Sequence, residues 1–210
     1  MSLVLKRAFD LLASIILLVL SSPIWLVTIP AIWLDTRGPI FYRHDRVGQH
    51  GKRFHLLKFR SMVPDADKIG GPLTSHADPR ITSVGRFLRK WKIDELPNLL
   101  NVVSGEMSLV GPRPEAPRYV DHYTPEQRRV LDVKPGITDM ATIGHYRDEE
   151  QMFSSAADPE ELYLNTIMPE KLRLNLLYVE KAPSFRLDLS ILIRTVASVL
   201  FVSTGNHPAR

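Results

Sequence analysis

The sequence predicts an α+β fold that is mostly helical and rooted in a membrane, and three observations carry that expectation. The first is an uncharged run from Leu11 to Leu34, built mainly of Leu, Ile, Val, Ala and Trp. The second is a pair of short aromatic and aliphatic segments, Pro39 to Tyr42 and Phe54 to Phe59. They flank a turn region bounded by Gly48 and Gly51 and read as a small β-hairpin. The third is a set of apolar residues at helical spacing near the end, namely Leu189, Leu192, Ile193, Val196, Val199 and Leu200. A chain of 210 residues fits one domain of ordinary core size with an appended segment.

As a straight helix the apolar run would reach on the order of 36 Å, enough to cross a hydrocarbon core of about 30 Å. Lys6, Arg7 and Asp10 precede it, Asp35, Arg37, Arg43 and Arg46 follow, and no A-x-A-like site stands behind it. A retained membrane segment therefore fits better than a cleaved signal peptide. Ser22 and Pro23 fall at its middle. Proline removes a backbone hydrogen bond there and serine can satisfy a freed carbonyl, so a bend is expected. Two geometries stay open on these residues alone. A kinked crossing agrees with the frequency of proline in transmembrane helices, whereas basic residues on both flanks agree with a re-entrant helix that returns to one face.

After the hairpin, Val63 to Pro79 is polar and rich in Gly and Pro, which reads as a mobile loop, and a helix resumes near Ile81. Val84 to Lys92 interleaves Arg86, Arg89, Lys90 and Lys92 with Phe87, Leu88 and Trp91. That pattern suits an interfacial helix snorkelling its cations beside aromatic side chains, or a plain solvated face. In Asp94-Glu95-Leu96-Pro97, Asp94 reads as an N-cap and Pro97 as a first-turn residue, so a helix is expected to begin at Asp94. Pro159 to Glu180 reads as one or two helices around Pro169. Leu187 to Val202 suits a packed or interfacial helix better than a second crossing, because Arg186, Asp188 and Arg194 interrupt it.

Composition narrows the chemistry. There is no cysteine, which excludes disulfides, thiolate metal sites and a cysteine nucleophile. The formal net charge of +4 points to an anionic partner. With an apolar segment present and no nucleic-acid module in the chain, that partner reads as an anionic lipid bilayer and not a nucleic acid. The signatures G-x-S-x-G, H-E-x-x-H, Walker A and G-x-G-x-x-G are absent, and the seven histidines lack metal-ligand spacing. What remains is the carboxylate pair Asp94 and Glu95. A helix start favours anions, two carboxylates repel a phosphate, and Mg²⁺ held by a carboxylate such as Asp94 would reconcile the two. Lys58, Arg60, Arg89 and Arg113 are the cations suited to phosphate. In isolation an Asp-Glu-Leu-Pro run is more often a cap beside a solvated glutamate.

The combination of motifs changes that weighing. The chain resembles the bacterial sugar transferases, the monotopic polyprenyl-phosphate phosphoglycosyl transferases, in their short form. The resemblance rests on Lys6-Arg7 with Asp10, Ser22-Pro23, Lys58-Phe59-Arg60-Ser61-Met62, Gly85 with Leu88-Arg89, Ile93-Asp94-Glu95-Leu96-Pro97, the run from Gly105 to Pro114, Lys134-Pro135-Gly136-Ile137-Thr138, and Leu187-Asp188-Leu189. It implies transfer of a sugar phosphate from a nucleoside-diphosphate sugar, commonly a UDP-sugar, to undecaprenyl phosphate, with Mg²⁺ and release of UMP. It implies Asp94 as nucleophile in a ping-pong reaction, Glu95 in the metal site or in helping the lipid phosphate attack, and Lys58, Arg89, Arg113 and Asp188 at active-site positions. It also implies Ser22-Pro23 as the break of a re-entrant helix over residues 1–36. Residues 37–210 would then form a catalytic domain with interfacial helices on the cytoplasmic face of the inner membrane, and a homodimer is among the assemblies open to it. Asp139-Met140-Ala141-Thr142 stands where the family continues Gly-Leu-Ala-Gln, and Asn98 where Gln is usual, which puts donor recognition in question. Two other classes compete. A glycosidase would need carboxylates about 5–10 Å apart across a bond, which neighbours in sequence seldom offer. A membrane-tethered lipid-binding scaffold without catalysis would be indifferent to the loss of Asp94.

Overall fold

The computed structural model describes residues 2–71, 73–74, 78–143 and 149–203. Helix α1 (Leu3–Asp35) is continuous and is capped by Ser2, whose Oγ accepts from the Leu5 amide at 3.2 Å. Its buried positions are Asp10, Ser14, Ser21, Thr28 and Ile32, four or seven residues apart and so aligned on one face. Leu12, Ile16, Val19, Leu20, Leu26 and Val27 are exposed. The helix thus turns its polar residues toward the protein and leaves an apolar surface outward, where a helix on a soluble domain would be polar. Among the described residues it is the one helix long and apolar enough to cross a membrane.

Strands β1 (Phe41–Val47) and β2 (Arg53–Phe59) form the expected antiparallel hairpin, in register from Phe41 opposite Phe59 to Val47 opposite Arg53. The polar stretch that follows holds a single turn, α2 (Ala66–Ile69), and α3 (Ser83–Lys90) begins where Thr82 Oγ1 accepts from the Gly85 amide at 2.9 Å. Gly85 lies so close to the end of β2 that a Cβ on it would come within 1.9 Å of the Ser61 carbonyl oxygen. Any side chain there would push α3 off the hairpin. Helix α4 (Asn98–Ser104) ends on Gly105 in the left-handed region, φ 92°.

Two three-residue strands, β3 (Ser108–Val110) and β4 (Gly136–Thr138), pair in parallel, with α5 (Pro117–Val120) between them in sequence. Sequence reading did not anticipate this pair. The chain continues through α6 (Met140–Ile143), α7 (Glu149–Ser155) and α8 (Pro159–Leu162). A π turn, Tyr163–Ile167, joins α8 to α9 (Met168–Lys181) in one run. The wider turn falls just before Pro169, which has no N–H to continue the α register. Helix α10 (Phe185–Ser203) buries Asp188 and Ile191 and leaves Leu189, Ile193 and Val196 exposed.

One core cluster joins Phe54, Leu56, Leu99, Val102, Leu109 and Tyr178, with Phe9, Ala13 and Leu18 of α1 packed against it. A second joins Phe59 and Leu88 to Ile32, with Trp25 and Ile29. Both halves of α1 therefore lie against the protein. Polar ties secure its ends: Arg7 donates to the Val102 and Val103 carbonyls at 2.6 and 3.0 Å, and Asp35 Oδ2 accepts from the Val84 amide at 3.1 Å.

Candidate active site

Three local structures converge on the carboxylate pair. At the end of α3, Lys92 adopts a left-handed conformation (φ 55°) that few non-glycine residues take, and the chain reverses into a 3-10 turn, Ile93–Glu95. Ile93 packs onto the Phe59–Leu88 cluster, and Asp94 is buried. Asp94 is thus not the N-cap of a helix, as the sequence suggested. Helix α4 starts at Asn98 behind Pro97, and the Leu96 amide closes the intervening turn on the Ile93 carbonyl at 3.1 Å.

The second structure is the grip of α4 on β2. Asn101 accepts from the Leu57 amide at 3.0 Å and donates to the His55 carbonyl at 2.8 Å, which fixes the backbone leading into Lys58. The third is the loop after β3. Asp10 accepts from Ser108 Oγ at 2.8 Å and from the Leu109 amide at 3.3 Å, and the Gly136 amide donates to the Pro112 carbonyl at 2.9 Å. Arg113 leaves this clamped segment toward Glu95.

Glu95 Oε1 accepts from Lys58 Nζ at 2.8 Å and from Arg113 Nη2 at 2.6 Å. Burial alone would raise the Glu95 carboxyl, but Arg113 and Lys58 outweigh it and hold the group well below the usual carboxylate range. Burial lowers Lys58 in spite of Glu95. Asp94 behaves oppositely: burial raises it, against the pull of Lys58, Lys92 and Arg89. Its Oδ1 is buried and has no hydrogen-bond partner. A buried acceptor left unpaired costs about 1–3 kcal/mol unless something binds it. Two adjacent carboxylates thus differ sharply, one neutralised by two cations and the other basic and unsatisfied. Glu95 is not free to act as the second carboxylate of a glycosidase.

These residues fit a divalent ion only in part as a protein site. Among the described residues no three His, Asp or Glu side chains gather around a metal position. Mg²⁺, however, binds one or two carboxylates together with substrate phosphate oxygens and keeps several waters. The unpaired Oδ1 of Asp94 meets that requirement, whereas Glu95 is taken up by its cations.

The other expected site residues divide. Arg89, in the last turn of α3, acts on Asp94 electrostatically. Arg60 does not join the pair: its guanidinium donates to the Thr36 carbonyl, and to that of Arg37 at 3.3 Å, closing the end of α1. Asp188 is also removed from a phosphate-binding role. It is 1% exposed, and its oxygens take Lys6 Nζ at 2.7 Å and the Tyr178 hydroxyl at 2.9 Å, tying α1 to α10. Ser22 and Pro23 lie mid-way along α1, with Ser22 Oγ donating to the Val19 carbonyl at 2.8 Å. Asp139, where the family pattern was broken, caps α6 by accepting from the Thr142 amide at 2.7 Å, and Asn175 donates to its other oxygen at 3.3 Å. The departure is locally self-consistent. Sequence reading missed Asn101 and Tyr178, both anonymous in helical patterns.

Residues 1–202 match the family model described as bacterial sugar transferase. Over 141 residues the chain is 48% identical to a Bacillus subtilis protein named uncharacterized sugar transferase EpsL, covering 67% of this chain and 69% of that one. It is 44% identical over 155 residues to the undecaprenyl-phosphate glucose phosphotransferase of Komagataeibacter xylinus, covering 69% of this chain and 28% of that one. It is 40% identical over 159 residues to the undecaprenyl-phosphate galactose phosphotransferase of Salmonella typhimurium, covering 69% and 33%. The match spans about a third or less of the last two proteins. With nearly the whole length matched and the carboxylate pair set among Lys58, Arg89 and Arg113, this chain belongs to the bacterial sugar transferase family.

Proposed function

We propose that the chain is a polyprenyl-phosphate phosphoglycosyl transferase, moving a sugar phosphate from a nucleoside-diphosphate sugar, a UDP-sugar by preference, onto undecaprenyl phosphate. The observation that carries this reading is Asp94: a buried carboxylate oxygen without a partner, beside a glutamate whose charge two cations already balance. The names of the similar phosphotransferases supply the acceptor and the sugar.

Asp94 attacks the phosphorus that bears the sugar. The bond to the neighbouring phosphate breaks, UMP leaves with that electron pair, and a phosphosugar ester remains on Asp94. An oxygen of undecaprenyl phosphate then attacks the same phosphorus, the acyl phosphate bond breaks, and the Asp94 carboxylate returns. Two anionic substrates thereby react in turn and need not align together. Lys58 and Arg113, held in place by Glu95, present positive charge where negative charge develops on the transferring group, and Arg89 adds to it. Asp94 Oδ1 would hold Mg²⁺ together with the diphosphate, and the ion would supply charge neutralisation there.

The exposed apolar side of α1 suits lipid. Both ends of α1 attach to one folded body, through Lys6 and Arg7 at the start and Asp35 at the end, which supports a re-entrant helix over a crossing. The active site then faces the cytoplasm at headgroup depth on the inner membrane. The test is UMP release by the native chain in nanodiscs with Mg²⁺, undecaprenyl phosphate and a panel of UDP-sugars. Release from a donor that depends on the lipid and disappears in Asp94→Asn supports the reading. No release from any donor, with lipid proven competent by a known transferase, overturns it.

A further inference from the structure

The inward face of the hairpin carries polar side chains that phosphoryl transfer does not use. In β1 the residues Tyr42, His44 and Arg46 share one face with Lys58, which stands opposite Tyr42, while Phe41, Arg43 and Asp45 between them are exposed. Arg46 spans from Glu115, at 3.3 Å, to Nδ1 of His44, at 3.2 Å. A guanidinium has donors only, so Nδ1 must be the acceptor and the ring proton sits on Nε2. Burial first, then Arg46, Lys58 and Arg113, push the imidazole down to about 3, so it stays neutral at physiological pH. The hairpin register sets the ring on the face that carries Lys58, the cation paired with Glu95. The Tyr42 ring packs on it at 5.6 Å, and no described residue accepts from Nε2.

We infer that His44 is a specificity-determining residue of the donor site, its Nε2–H donating to an uncharged hydroxyl or carbonyl oxygen of the sugar nucleotide whose diphosphate lies against Lys58, Arg113 and Asp94. This rests on the transferase reading above. The phosphates are already matched by cations, whereas a neutral N–H fixed by Arg46 matches a neutral oxygen. Both the sugar and the nucleobase offer such oxygens.

The experiment measures donor and lipid KM for the native chain, His44→Ala and His44→Gln in nanodiscs, with melting temperatures and inhibition by UMP. The expected result is a donor KM about tenfold higher in His44→Ala, no change in lipid KM, and recovery to within about threefold in His44→Gln, which keeps an N–H donor. A parallel loss of UMP inhibition assigns the oxygen to the nucleoside; unchanged UMP inhibition assigns it to the sugar. An unchanged donor KM, or a fall in kcat and melting temperature that leaves both KM values alike, overturns the inference while leaving the transferase reading intact. Absence of turnover in the native chain overturns both.

Discussion

Ser22 Oγ donates to the Val19 carbonyl at 2.8 Å, and Val19 is the residue whose carbonyl Pro23, lacking an N–H, leaves without its helical partner. Ser21 Oγ also donates, to the Leu18 carbonyl at 3.3 Å, one residue before the freed one. The helix therefore passes Pro23 without exposing the Val19 carbonyl oxygen unpaired to lipid, and a second proline, Pro30, stands further along it. Ser22→Ala should lower stability in nanodiscs by about 0.6–1.7 kcal/mol, the range for side-chain hydrogen bonds in membranes. Thermal melting of the two proteins in the same lipid checks this; equal melting temperatures would show that the hydroxyl is dispensable.

The attachment of both ends of α1 to one body makes a statement about sidedness. Because the chain has no cysteine, Ser2→Cys and Arg37→Cys can be made separately as single labelling sites. Both should react with a membrane-impermeant maleimide added to inverted vesicles, and neither should react in intact spheroplasts. Labelling of one from each side would mean a crossing helix.

Replacing Asp94 should make the protein more stable. Burial raises Asp94, so its charged form is disfavoured in the folded state. For a raised folded-state pKa, the stabilising contribution exists below the unfolded value and is lost as pH rises through the folded one, so at neutral pH the carboxylate is a liability. Asp94→Asn should abolish UMP release and gain about 0.5–2 kcal/mol, a few degrees in melting temperature at pH 7. A less stable variant would contradict the burial argument.

The same direction sets a pH limit. In the proposed mechanism Asp94 attacks in its ionised form, so the first half-reaction should fail as pH drops through its raised pKa, at a pH above the ordinary aspartate value of about 3.9. Single-turnover UMP release without lipid isolates this step. An acid limb at or below pH 4 would exclude Asp94 as the titrating group.

Glu95 should be harder to remove than Asp94. Its lowered pKa contributes stability above the unfolded value, lost only as pH falls through the folded one. Glu95→Gln leaves Lys58 and Arg113 facing each other without a counter-charge, and a loss of about 3–5 kcal/mol is expected together with most activity. Denaturant unfolding in detergent micelles measures it; a loss under 1 kcal/mol would mean the two cations find other partners.

The carboxylate pair and its cations could be read in the sequence because they lie in short, distinctive runs, and so could the hairpin, whose aromatic residues sit on either side of glycines. The conformation around Asp94 could not. Capping logic placed a helix start at Asp94, but Lys92 reverses the chain one turn early and Pro97 moves the helix start to Asn98. Arg60 looks like a site residue by type and Asp188 by family resemblance, and their actual partners, Thr36 and Lys6, become neighbours only through tertiary packing. The β3–β4 pair is too short for any periodicity, its register being set by Gly111 and Gly136 approaching each other's backbone.

The bond between Lys6 and Asp188 joins residues 182 positions apart. Translation at about 5–20 residues per second separates their appearance by roughly 10–40 s. For that interval α1 already exists while the group that neutralises its lysine has not been made, and Asp10 likewise waits for Ser108. The order of synthesis thus lets lipid meet the apolar side of α1 before the protein occupies its polar side, with α10 fastening the helix later.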